Sequence, residues 1–110
     1  LFMTLSFSEK VYSKLKLVPP GYIVTYASLA KAVGSIGGSR AVGNALNKNP
    51  NAPKVPCHRV VCSDGKVGGY AFGVNKKIEI LKNEGITVVN GKVVGFEKKK
   101  WKFRQINLLK

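Results

Sequence analysis

The sequence predicts a mostly α domain with short β elements, and three observations predict it. Apolar residues recur at helical spacing in separate stretches, each fenced by proline, glycine or a capping residue. Two of these stretches are short and joined by a glycine-containing turn, which is the outline of a helix-turn-helix. Late in the chain, Ile86-Thr87-Val88-Val89 and Lys92-Val93-Val94 flank Asn90-Gly91, the strongest short hairpin signal. A chain of 110 residues builds one modest core and not two. The expected organisation is therefore a single domain over 1–110, with the helix-turn-helix at about 25–47, a candidate active-site segment at 55–61, and a hairpin with a basic tail at 86–110.

The first helix is expected over Ser8–Val18. Ser6 or Ser8 can cap it, Glu9 sits at the positive end of its dipole, and Val11, Leu15 and Val18 share a face. Pro19-Pro20-Gly21 stops it, and Tyr22-Ile23-Val24 reads as a short extended piece. Thr25 then caps a helix over Tyr26–Val33, with Leu29, Ala30 and Val33 inward. After Gly34-Ser35-Ile36-Gly37-Gly38, Ser39 is expected to cap a second short helix, Arg40–Asn47. Its Ala41, Gly43 and Ala45 are small, and glycine is a poor helix former. Such a face lies close against either a second helix or a nucleic-acid groove. A polar, proline-punctuated loop over Asn47–Lys54 follows. Beyond the cysteine segment come a turn at Ser63-Asp64-Gly65 and a glycine-rich loop, Gly68–Gly73. Asn75 is expected to cap a helix over Lys76–Glu84 that Gly85 ends. In the tail, Trp101 and Phe103 are expected to cover the core while the lysines stay solvated.

Charge is the dominant global property. Nineteen Lys and Arg stand against five Asp and Glu, a net +14. A domain this basic calls for a polyanionic partner, and nucleic acid is the usual one. The helix-turn-helix outline and the late hairpin make the expected fold class a winged helix-turn-helix-like domain plus a C-terminal β-hairpin, and the charge makes DNA its expected partner. No apolar run approaches bilayer length, so no membrane is expected. The N-terminus Leu1-Phe2-Met3-Thr4 lacks the features of a secretory signal, and two cysteines five positions apart are no disulfide framework. These point to an intracellular protein, cytoplasmic (nucleoid-associated) or nuclear. The lone glycine loop lacks the context of a dinucleotide site, the chain's single His leaves no metal set, and no cofactor is expected.

The chemistry concentrates in Val55-Pro56-Cys57-His58-Arg59-Val60-Val61. A thiol beside two potentially cationic side chains is a candidate nucleophile. The same residues also fit a small buried hydrophobe in a short strand, because reactive pairs meet in space rather than in sequence.

Pro56-Cys57-His58-Arg59-Val60 resembles the active-site signature of the O6-alkylguanine-DNA alkyltransferases, or methylated-DNA–protein-cysteine methyltransferases. The resemblance runs over roughly residues 8–85. It includes Tyr26 opening one helix, Arg40 opening the next, Asn49-Pro50 before the cysteine, Gly69-Tyr70 after it, and Glu84-Gly85 closing the following helix. That family's N-terminal α/β domain has no counterpart here. The resemblance implies that Cys57 accepts the alkyl group, that His58 draws off its proton through a water, and that Glu84 orients His58. Asn49 would brace the turn, and Arg59 would tie the site to the scaffold. Tyr26 would contact the target nucleotide, either donating towards the leaving guanine or pushing its phosphate, and Arg40 would fill the gap left by the flipped base. Ala41 and Gly43 would press into the groove. Tyr70 would form a wall of the pocket, with Ala71 next to it, and backbone groups near Cys57 and Val60 would read the guanine edge. The implied partner is double-stranded DNA containing O6-alkylguanine, bound by a monomer. The implied product is a thioether that water does not cleave, so each molecule reacts once.

Two departures stand out. Ala71 replaces a serine common in the family, and Phe72 puts a ring where some members have glycine, which predicts a pocket that takes methyl more readily than benzyl adducts. Two other functions compete with the transferase. Alkyltransferase-like proteins resemble the same domain, bind alkylated DNA without chemistry, and typically replace the cysteine, which Cys57 argues against. A plain helix-turn-helix module leaves Asn49, His58 and Glu84 unexplained as a set.

Overall fold

The computed structural model describes residues 5–49 and 54–103. Its elements run α1 (Phe7–Leu15), β1 (Val24–Thr25), α2 (Tyr26–Ala32), α3 (Ser39–Asn47), a 3-10 turn at Cys57–Arg59, β2 (Val60–Val61), α4 (Val74–Asn83), β3 (Val88–Val89), β4 (Lys92–Val93) and α5 (Phe96–Lys99). The domain is mostly helical with short strands, as expected. Part of the expected Asn47–Lys54 loop, with Pro50, lies outside the described residues, as does the tail beyond Phe103.

Local chemistry sets where the helices begin. Ser6 opens α1 with a reciprocal capping box: its Oγ accepts from Glu9 N at 3.1 Å, and Glu9 Oε1 accepts from Ser6 N at 2.8 Å. Thr25 Oγ1 accepts from Ser28 N at 3.0 Å and opens α2. The other two expected caps are corrected. Ser39 is the first residue of α3, behind Gly38, and Asn75 lies inside α4, behind Gly73. At φ 94° Gly73 turns the chain in a way that only glycine does cheaply, so the helix starts without a side-chain cap. α1 stops at Leu15, three residues short of expectation, although Val18 still reaches the core. α5 is an element the sequence reading left as tail.

Strand pairing decides what meets what. β1 runs parallel to β2 in the register Val24↔Val60 and Thr25↔Val61. Side chains alternate across a strand, so Val24 and Val60 face one hydrophobic cluster while Ile23 and Val61 face another. The first cluster joins α1, α2 and α3 through Val11, Leu15, Leu29 and Val42; the second gathers Val67, Leu81, Ile86 and Val93 beneath the hairpin. β3 and β4 pair antiparallel across Asn90 (φ 52°) and Gly91 (φ 77°), both left-handed as a tight hairpin requires. On the far side of β1, Ile23 N donates to Lys99 O at 2.9 Å and Trp101 N donates to Ile23 O at 2.7 Å. The tail therefore closes against the core, with Trp101 and Phe103 packed on the first cluster as expected.

Candidate active site

The parallel register has a direct consequence for the site. Tyr26 follows Thr25, and Cys62 follows Val61, so the first residue of α2 arrives beside the end of the cysteine strand. A cavity of about 510 Å³ opens there, within the size range of ligand pockets. Tyr26, Arg40, Gly43, Cys57, Tyr70 and Ala71 all contribute to its wall, six of the residues singled out in the sequence.

Cys57 begins the 3-10 turn and is 8% exposed. Asn49 Nδ2 donates to Val55 O at 3.1 Å and reaches Cys57 Sγ at 3.6 Å, bracing the turn and touching the sulfur together. Next along the turn, buried His58 places Nε2 3.0 Å from Glu84 Oε2. His58 Nδ1 is buried and has no hydrogen-bond partner among the described residues. Arg59 donates through Nε to Glu84 Oε1 at 2.9 Å, through Nη2 to Glu84 Oε2 at 2.6 Å, and through Nη1 to Val18 O at 2.9 Å. One guanidinium thus ties the end of α4 to the segment after α1 in a bidentate, charge-assisted arrangement.

These contacts set the protonation states. Burial lowers the His58 pKa below its ordinary 6.5, against the opposing pull of Glu84, so the ring is neutral at pH 7. Burial alone would raise Glu84, but the hydrogen bonds from Arg59 and His58 outweigh it and hold the carboxyl below its ordinary 4.5. A neutral imidazole oriented by a carboxylate is the arrangement of a general base. Across the cavity, burial and the neighbouring thiols raise the phenols of Tyr26 and Tyr70.

On the side of α3, Arg40 and Ala41 are exposed and Gly43 is half-buried, leaving a low surface at the cavity mouth. Ala45, counted with the small face in the sequence reading, is instead buried, and its carbonyl accepts from Tyr12 Oη. Val60 is fully buried in β2 and does not line the cavity with its side chain; its carbonyl accepts from a lysine. Tyr70 stands edge-on to His58, with ring centroids 6.5 Å apart. Phe72 stands edge-on to Tyr70 at 5.4 Å and is 66% exposed, so its ring sits outside the cavity wall rather than narrowing it.

That lysine is the residue the sequence reading missed. Lys77 is 0% exposed, and its Nζ donates to Val60 O at 2.6 Å and Gly69 O at 2.9 Å. Burial lowers its pKa from 10.5 to about 8. The signal was present: Lys77, Leu81 and Glu84 fall at i, i+4 and i+7, one face of α4. Cys62 lies just past β2 and lines the cavity as a free thiol. Among the described residues no group of three or more His, Cys, Asp or Glu could hold a metal, and no helix is long and apolar enough to cross a membrane.

Known proteins resemble this chain in sequence and in fold. The family described as 6-O-methylguanine DNA methyltransferase, DNA binding domain, matches residues 6–86. A methylated-DNA–protein-cysteine methyltransferase of Methanosarcina acetivorans is 48% identical over 79 residues, which are 72% of this chain and 51% of that protein. A bifunctional methyltransferase/endonuclease of Picrophilus torridus is 41% identical over 83 residues, 76% of this chain and 28% of that protein. The chain thus spans about half the length, or less, of these curated relatives. The crystal structure of Mycobacterium tuberculosis OGT in complex with DNA superposes with a TM-score of 0.70 at 39% identity, covering 74% of this chain and 51% of that one. The structure of S. pombe Atl1, in complex with damaged DNA containing O6-carboxymethylguanine, has a TM-score of 0.79 at 28% identity, covering 91% of this chain and 99% of that one. Sequence and fold agree, and the chain belongs to the 6-O-methylguanine DNA methyltransferase family.

Proposed function

We propose that this chain repairs DNA by flipping O6-alkylguanine out of the duplex and moving the alkyl group irreversibly onto Cys57. The observation that carries the reading is that a single cavity gathers Cys57, with Asn49 Nδ2 at its sulfur and the His58–Glu84 pair behind it, under the exposed Arg40. A base inside the stack is out of reach of any thiol, so the nucleotide must leave the helix. Arg40, planar and charged, is suited to fill the gap, and Ala41 and Gly43 let α3 approach the groove. The +14 charge supplies sequence-independent phosphate attraction.

In the transfer, His58 takes the Cys57 proton through a water, using the nitrogen that Glu84 leaves free, and Glu84 holds the resulting imidazolium. Sulfur then attacks the alkyl carbon in line with the departing guanine. The C–O6 pair goes to the purine, and Tyr26 gives a proton to a ring nitrogen of that leaving base. The whole chain, 1–110, works as one catalytic and DNA-binding domain, as a monomer on double-stranded DNA, in the cytoplasm or nucleus where that DNA is found.

The likeness to Atl1 over nearly the full length of both chains supports a second reading, binding of alkylated DNA without chemistry. Intact-mass measurement after incubation with O6-methylguanine duplex separates the two. A gain of one methyl, absent in Cys57→Ser, is expected. Tight lesion binding without mass gain would establish the second reading instead, and equal binding to undamaged DNA would leave a plain DNA-binding module.

A further inference from the structure

Cys62 and Ser63 form part of the cavity wall, and a tight turn carries the chain straight on from them. Cys62 N donates to Lys66 O at 2.9 Å, and Gly65 N donates to Cys62 O at 3.0 Å. Three residues of chain reach at most about 10 Å, so Lys66 is rooted at the cavity rim. The turn is docked on the hairpin. Val67 N donates to Gly91 O at 2.8 Å, Val93 N donates to Gly65 O at 2.9 Å, and Lys66 is bridged to Lys92. Gly65 also lies against Phe96, since a β-carbon there would come within 3.4 Å of the ring. Lys100 Nζ stands over the same ring, 5.1 Å from its centroid. Turn, hairpin and α5 are thus one continuous wing that starts at the pocket. Its apolar side has a use, because Val88, Val93 and Phe96 close the second hydrophobic cluster. Its charge is unexplained. Lys66, Lys92, Lys98, Lys99, Lys100 and Lys102 stand against Asp64 and Glu97. Both acids are already matched, by Lys66 at 3.8 Å and by Lys100 at 3.2 Å. Lys92, Lys98 and Lys102 are exposed and have no ion-pair partner among the described residues.

We propose that this wing is a second phosphate-binding surface, which grips the backbone of the same duplex on one flank of the lesion while α3 sits in the groove at the lesion itself. The inference rests on the reading that a flipped base enters this cavity, and it holds whether or not Cys57 then reacts. Proximity supports it. A duplex presents one negative charge per about 1.7 Å of its axis, so a helix seated at the cavity mouth brings phosphates past a surface rooted at the rim. Residue type supports it too. Every cation on the described wing is lysine, a flexible point charge, whereas arginine is the residue of planar, bidentate recognition. Lysine contacts to phosphate position a protein without reading bases, which suits a lesion that can fall in any sequence. Each chain has one such wing, beside the Cys62–Ser63 wall and across the cavity from Arg40, so the grip is one-sided. The family match ends at residue 86, and most of the wing lies beyond it.

The test is equilibrium binding of the full chain to an O6-methylguanine duplex across a salt series, in a Cys57→Ser background so that the lesion persists. Each phosphate contact contributes about 0.9 to the slope of log K against log salt. Replacing Lys66, Lys92 and Lys98 together by glutamine is expected to make that slope shallower by about 2 to 3. Arginine at the same three positions is expected to retain it. A control removes the same charge elsewhere, with glutamine at Lys10, Lys16 and Lys76, exposed residues of α1 and α4; its slope is expected to stay that of the parent. Duplexes cut short on one side of the lesion or on the other then test the direction. The parent is expected to lose affinity chiefly when one particular flank is removed, and the wing variant to lose that preference. Equal slopes for parent and wing variant would overturn the inference alone. An equal change in the control variant would also overturn it, by reducing the wing to its share of the net charge. A flank preference that persists in the wing variant would place the one-sided contact elsewhere and overturn it as well. Equal binding of damaged and undamaged duplex by the parent would instead overturn the reading beneath it.

Discussion

The two ends of α4 carry opposite charges inward and treat them differently. Glu84, the C-cap, is met by His58 and by Nε and Nη2 on one edge of the Arg59 guanidinium. Among the described residues, Lys77, in the first turns of the same helix, is met only by carbonyls. Both charges oppose the helix dipole, which favours cations at the C-terminus and anions at the N-terminus. Neither is there for the sake of α4. The compensated charge can serve architecture as well as chemistry, because Arg59 carries it on to Val18 and so to α1. The uncompensated one costs stability in the resting state, and a residue retained at a cost invites a search for the step in which it is used.

The largest expected effect comes from breaking the compensated end. Glu84→Ala leaves Arg59 and His58 without their shared acceptor, and removing one partner of a buried pair costs roughly 3–5 kcal/mol, read as a fall in Tm. The sign with pH is fixed by the depressed carboxyl. The Glu84 contribution is in place above its ordinary 4.5 and drains away as pH falls through the lower folded value. A Glu84→Ala protein that melts like the wild type at neutral pH would erase the contrast between the two ends.

Next in size is the uncompensated end. Because Lys77 is depressed from 10.5 to about 8, its buried charge is a full cost below that lower value. As pH rises from about 8 to 10.5, the folded state sheds the charge while the unfolded state keeps it, and the cost is relieved. Relative to Lys77→Met, the wild type should gain about 3 kcal/mol across that window, at about 1.36 kcal/mol per unit. Denaturant melts of both proteins at the two ends of the window check it. Parallel stability curves would mean that the ammonium is not desolvated.

The smallest expected effect is a control one position away. Lys76 is exposed and pairs with Glu79 at 3.1 Å on the surface of α4. Its replacement by alanine should change stability by less than about 0.5 kcal/mol and leave methyl transfer intact. A large loss at Lys76 would show that helix charge in general, rather than burial, governs the behaviour of α4.

Much of the fold was legible because its signals are local. Ser6 and Thr25 announce their helices with side-chain oxygens, and Asn90-Gly91 announces its turn with two left-handed residues. Gly38 and Gly73 announce nothing, since they start helices by backbone shape alone, and Ser39 and Asn75 next to them look like better caps than they are. The site divides in the same way. Cys57, His58, Asn49 and Glu84 belong to a pattern with a fixed order, and Asn49, His58 and Glu84 do converge around the thiol. Lys77 looks like one more lysine in a basic helix, because its acceptors lie 17 and 8 residues away on β2 and the glycine loop. Phe72 looked like a steric block, yet which side of Tyr70 its ring occupies is decided by the path of the loop.

The tail that closes on β1 also gives the molecule a built-in reporter. Trp101 is the chain's single tryptophan; it hydrogen-bonds Ile23 through its backbone and meets Tyr22 edge-on at 5.5 Å. Ile23 immediately precedes the strand that positions Tyr26 beside the cysteine segment. Indole fluorescence therefore reads the docking of the last element onto the strand beside the pocket. One optical signal can follow detachment of the tail and loosening of the site, with no label attached.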